Sequence, residues 1–211
     1  MNLTNTNAVE ILLLVGGLSL VPALLFTVTG FTRIVIVLGF VRNALGLQTT
    51  PPNQVVVGIA VFLTLFVMAP TISAIKKDAY VPLEHHQISM GTAITDAIEP
   101  LREFMFNQTN SGDIELFENL AHQKPPKTRA DVPTYVLIPA FIVSELKAAF
   151  EIGFLIFLPF LIIDLIVSST LMSMGMIMLP PTFVSLPFKI LLFVLVDGWD
   201  LVINSLVASF H

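Results

Sequence analysis

The sequence predicts an all-α membrane protein: two apolar helices, a small polar helical insert, then two more apolar helices. Three observations carry that prediction. Hydrophobic residues make up 55% of the 211 residues and charged residues only 12%, too few charges to cover an ordinary water-facing surface. Mean hydropathy is +0.87. No charge occurs between Glu10 and Arg33 or between Arg42 and Lys76, and a bilayer-spanning helix needs about 20 mostly apolar residues.

Residues 1–75 hold the first two apolar segments. Neither shows the polar face that a water-exposed helix repeats every 3.6 residues. The leader MNLTNTNAVE contains no Lys or Arg, so the positive region of a secretory signal is missing and a retained helix is expected. Between the two segments, Phe31 to Asn43 reads as a short link with Arg33, Arg42 and no acid. The bias of Lys and Arg toward cytoplasmic loops puts this link inside. The polar insert then lies outside, and the later methionine turn comes back inside.

Residues 76–133 form the insert and hold most of the charge. Ile94, Ile98, Leu101 and Met105 recur at helical spacing, as in a short amphipathic helix. Asp113 to Ala121 reads as another. The tract HQKPPKTRADVP, residues 122–133, reads as an exposed linker. Residues 134–211 return to apolar runs, Tyr135 to Val167 and Thr182 to Val196.

Those last runs contain ionisable residues. Glu145, Lys147, Glu151 and Asp164 interrupt the first, and Lys189 sits in the second. A charge at mid-bilayer costs roughly 2.5–3.5 kcal/mol on insertion scales, so such groups face protein or water. Lys147 and Glu151 are one helical turn apart and could pair. Asp164 has no local partner, and Lys189 is the nearest cation on the next helix. Such pairs can glue helices together or relay protons. Methionines occupy every second position from Met172 to Met178. In an extended segment they would line one face, and in a helix they would split between opposite faces. Gly175, Pro180 and Pro181 favour a loop or a bent helix end. The flexible, polarizable thioether suits either core filling or a contact surface of varying shape.

The remaining motifs exclude more than they suggest. The net charge of −5 and the lack of a basic patch argue against nucleic acid. There are no cysteines, hence no disulfides or thiolate metal sites. His85 and His86 are adjacent and do not share a helix face, and nothing near them completes a metal set. No phosphate-binding Gly-rich loop and no Ser, His and Asp grouping is found. The chain is not expected to be an enzyme or to need a metal or other cofactor. A small-solute or ion transporter would use the same helices, with Asp164, Glu145 and Glu151 as coupling acids, but the repeats typical of that class are not evident.

Long motifs carry a family resemblance. FIVSELKAAFEIGFLIFLPFLIIDLIVSSTLMSMGMIMLPP (141–181), LPFKILLFVLVDGW (186–199), FTRIVIVLGFVRNALGLQTTPPNQ (31–54) and VFLTLFVMAP (61–70) resemble the FliP family of flagellar type III secretion. The injectisome homologue SctR shares much of this pattern, but the Leu179-Pro180-Pro181 ending is closer to the flagellar branch. The resemblance implies apolar helical hairpins assembled as a ring of about five copies. FliQ and FliR subunits would complete that ring in the basal body, at the bacterial inner membrane. It implies a protein-conducting export gate that passes unfolded flagellar proteins. Many of the charges would then face neighbouring subunits instead of lipid. The family's methionine gasket falls on Met176 and Met178, with Ile177 where the family often has a third methionine, and Met174 beside them. Asp164, Lys189, Glu145 and Lys147 match charged family positions at buried or subunit-contact sites.

Overall fold

A computed structural model describes residues 16, 26–47, 49–122, 126, 128–176 and 178–210. The choice between a retained first helix and a cleaved signal lies mostly outside these residues, as does Ile177. The described residues fold as α-helices and turns, with no strand among them.

Helix α1 (Phe31–Ala44) falls where the sequence suggested a short link. This corrects the expected topology. Phe31, Ile34, Val37, Leu38, Val41 and Ala44 recur every three or four residues and are all buried, so the segment is a core helix with one apolar face. Arg33 is buried with a partner, which removes it as a marker of a cytoplasmic loop. The helix ends in a Schellman motif. Gly46, at φ +76°, donates to the Asn43 carbonyl at 3.0 Å, and Leu47 donates to the Arg42 carbonyl at 3.2 Å.

The second apolar segment is not one straight span. Helix α2 (Asn53–Val67) breaks before α3 (Ala69–Ile75), and the helical axis turns by 58°. Pro70 sits at this break and has no N–H to continue the ladder. Helix α3 runs through a π-turn at Lys76–Tyr80 into α4 (Val81–Glu84), so helical structure crosses the point where the polar composition begins.

The insert contains α5 (Met90–Gln108) and α6 (Ser111–Leu120). Ser89 caps α5 by accepting the Thr92 N–H at 3.2 Å, a standard N-cap contact. Of the predicted apolar stripe, Met105 is buried while Ile94 and Ile98 are exposed. The tract read as a linker is exposed at Arg129–Asp131, yet it is folded there as a 3₁₀ turn. The Asp131 carboxylate accepts both the Thr128 N–H (2.9 Å) and its hydroxyl (2.8 Å). Arg102 of α5 holds the end of this tract by donating to the Val132 carbonyl at 2.8 Å.

Helix α7 (Thr134–Ser173) has 40 residues. At 1.5 Å per residue it is about 60 Å long, roughly twice the hydrocarbon core of a bilayer. Its buried positions cluster between Val136 and Gly153; beyond them only Phe160 and Leu171 are buried. The first half therefore packs on protein, and the second half is largely bare. α7 is long and apolar enough to cross a membrane by itself. Helices α8 (Pro181–Leu195) and α9 (Gly198–Ala208) follow, bent by 65° at a left-handed Asp197. The sequence reading did not resolve α9 as a separate helix.

The main core lies where α1 meets α2, α7 and the C-terminal helices, through Phe31, Ile34, Val41, Ala60, Ala149, Phe193 and Leu206. Gly153 allows close approach between α1 and α7, because a Cβ there would sit 2.5 Å from the Phe40 ring. A second core joins α5 to the start of α7 through Met105, Val132, Leu137 and Phe141.

Candidate functional site

Three charged clusters and one turn stand out, and α7 contributes to all of them. The deepest cluster is built on Glu145, which has 0% exposure. Arg33 of α1 pairs with it through both carboxylate oxygens, by Nη2 to Oε1 and by Nε to Oε2 at 3.1 Å. The same guanidinium donates to the Ser209 carbonyl at 2.7 Å, the Ser209 Oγ at 3.0 Å and the Gln108 Oε1 at 3.1 Å. Its carbon lies 4.0 Å from the centre of the Phe210 ring. The Gln108 amide in turn donates to the Phe210 carbonyl at 3.0 Å. The planar fork of arginine suits such a junction, and here it joins α1, α5, α7 and residues 209–210.

Two residues on, Lys147 leaves the opposite way. It donates to Asp113 of α6 at 2.5 Å, while Ser144 donates to the other oxygen of the same carboxylate at 2.7 Å. The Asn110 N–H donates to the Ser144 Oγ at 3.0 Å and completes the chain. Burial alone would raise the Asp113 pKa. The hydrogen bonds from Lys147 and Ser144 and the lysine charge outweigh it and hold the carboxyl below its ordinary value. The expected Lys147–Glu151 pair does not form. Asp113 is buried, where water screens its attraction less than at exposed Glu151. Lys147 remains 56% exposed, and Glu151 has no ion-pair partner among the described residues.

The third cluster ties α7 to α8. Lys189, 3% exposed, donates to Asp164 at 2.6 Å, and buried Ser185 donates to the other Asp164 oxygen at 2.6 Å. Ser185 and Lys189 are four apart and share a face of α8. Both oxygens of the carboxylate are therefore held within one chain.

The methionine stretch begins beyond this clasp. Helix α7 ends in a second Schellman motif: Gly175, at φ +75°, donates to Met172 at 3.0 Å, and Met176 donates to Leu171 at 2.9 Å. Pro180 and Pro181 then start α8. The four methionines are neither one extended row nor one helix. Met172 lies in the last helical turn, Met174 caps it, and Met176 and Met178 are in the connection. All four are exposed, Met178 at 98%. An apolar groove of about 510 Å³ runs beside the turn, lined by Met174, Leu171, Val184 and Phe188 among others.

Asp113, Ser144, Ser185 and Gln108 were not singled out from the sequence, and Arg33 was read only as an orientation marker. Arg33 did carry a signal: it is a lone cation inside an apolar stripe. Ser185 carried another, one turn before Lys189. The partners from the insert carried none, because their contacts join residues tens of positions apart. Among the described residues, no three His, Asp or Glu side chains group in a way that could hold a metal.

Comparison with known proteins covers these features up to residue 206. The FliP family model matches residues 14–206. The flagellar biosynthetic protein FliP of Bacillus subtilis (strain 168) is 55% identical over 205 residues, covering 97% of this chain and 93% of that protein. The protein of that name from Buchnera aphidicola subsp. Acyrthosiphon pisum (strain APS) is 54% identical over 203 residues, 96% of this chain but about half (54%) of its own length. That of Pectobacterium carotovorum subsp. carotovorum is 52% identical over 206 residues, 98% and 80% of the two chains. The family match runs through α1, both halves of α7, the clasp and the methionine turn alike, and the chain belongs to the FliP family.

Proposed function

We propose that this chain is a subunit of the export gate of the flagellar type III secretion system, at the inner membrane in the basal body. About five copies form a ring, FliQ and FliR subunits complete it, and unfolded flagellar proteins pass through its centre. Met174, Met176, Ile177 and Met178 of each copy form the seal. The observation that carries this reading is the exposed methionine turn on a hairpin clamped by Asp164, Ser185 and Lys189. A rigid base with soft, unbranched tips can close around chains of changing shape. The flagellar names of the relatives favour this apparatus over the injectisome. The test is conduction. Met176→Ala with Met178→Ala should let ions or small solutes leak through the expressed gate, and a leak equal to wild type would count against the seal. Asp164→Ala should impair assembly or export, since the buried lysine loses its counter-charge.

A further inference from the structure

A second site lies on the insert, away from the hairpin. The end of α5, helix α6, Pro126 and residues 128–132 line a cleft of about 500 Å³. Glu118 lines it and is 8% exposed, and its Oε1 has no hydrogen-bond partner. No ion pair reaches this carboxylate among the described residues. Among the described residues the other buried acids are matched: Asp113 by Lys147 and Glu145 by Arg33. A buried carboxylate without a counter-charge is costly, so Glu118 stands out as a half-built pair. Among the described residues, the cation on the cleft wall is Arg129, and it is turned elsewhere. It donates to the Asn107 Oδ1 at 3.3 Å and lies over the Phe106 ring. Glu115 adds a second acid to the lining, and Phe106, Ile114 and Val132 supply apolar walls.

We infer that this cleft is a binding site for a basic side chain, lysine or arginine, from another polypeptide. The walls take the methylene stem, as such stems pack on apolar surface, and Glu118 takes the charged head. The pair completed there is shielded from water and so less weakened by salt than a surface pair.

The test uses the full chain purified in mild detergent, with N-acetyl-lysine amide as probe and N-acetyl-norleucine amide as the uncharged control. Amide shifts of residues 111–119 and 128–132 report occupancy. Saturable shifts with the lysine probe alone, at least tenfold weaker in Glu118→Gln, support the site and point to a different protein as the source. If the homo-oligomer excludes the probe, a second copy is the source, and Glu118→Gln must then raise the concentration at which the oligomer dissociates by tenfold or more. Equal response to both probes, equal affinity in wild type and Glu118→Gln, or neither binding nor an effect on dissociation overturns the proposal. So does a tenfold gain in probe affinity in Lys124→Gln or Lys127→Gln, which would show that the chain fills the cleft itself.

Discussion

Glu145 is fully enclosed, so its charge is tolerable only while Arg33 faces it. Removing one partner strands the other, and breaking such a pair costs about 3–5 kcal/mol. Arg33→Met should therefore lower the unfolding midpoint in detergent sharply, and Arg33→Met with Glu145→Met should regain most of the loss. Circular dichroism melts of the single and double variants check this. Asp113 makes a pH prediction. Its pKa is lowered in the folded chain, so the unfolded state takes up the proton first as pH falls. The contribution of Asp113 is complete above the ordinary aspartate value of about 3.9. It is lost as pH drops from there through the lower folded value. The stability difference between wild type and Asp113→Asn should be constant near neutrality and shrink in acid; a difference that grows with acid would contradict the assignment.

At the scale of elements, two glycines decide geometry in opposite ways. Gly175 lies at φ +75° in open space, so Gly175→Ala pays only the left-handed backbone penalty, about 1–2 kcal/mol, and Gly175→Asn less. The expected sign is a looser end to α7, read as faster amide exchange at Met176, whose N–H closes the motif. Gly153 lies in a crowded place instead. An added Cβ meets the Phe40 ring at 2.5 Å and the Phe40 Cβ at 3.1 Å, and backbone-linked atoms cannot swing away. Gly153→Ala should destabilise the α1–α7 contact, while Gly58→Ala, with nothing within 4 Å, should gain up to about 1 kcal/mol of helix propensity. Parallel melts of the two variants give the comparison. The same elements show what was legible beforehand. The apolar runs and the Gly-Pro punctuation marked α7, its end and the start of α8, because composition and turn chemistry are local. Helix α1 was misread because two arginines looked like the ends of a loop, although Phe31, Ile34, Val37, Leu38 and Val41 already carried the helical period. The Asp164–Lys189 hypothesis rested on Lys189 being the nearest cation on the next helix. The Asp113–Lys147 and Arg33–Ser209 contacts had no such cue, since tertiary folding alone brings them together.

For the whole molecule, the second half of α7 and the outer face of α8 present Phe154, Leu165, Phe183, Phe188 and Leu191 to the outside. So much apolar surface needs lipid, detergent or neighbours. Native mass of the chain co-expressed with FliQ and FliR in mild detergent should therefore show a closed multimer carrying those subunits, whereas a lone monomer or dimer would return the transporter reading to favour.

The junction at Arg33 also sets an order of events during synthesis. Its guanidinium waits for Ser209, 176 residues downstream. At about 5–20 residues per second, the ribosome delivers that carbonyl roughly 9–35 s after Arg33 itself. Until then α1 and α7 can meet, but the knot at Glu145 stays open on one side. A released chain that ends before residue 209 should be digested by protease around α1 faster than one that includes residues 209–210, because a contact made late in synthesis is what closes the junction around the first half of the fold.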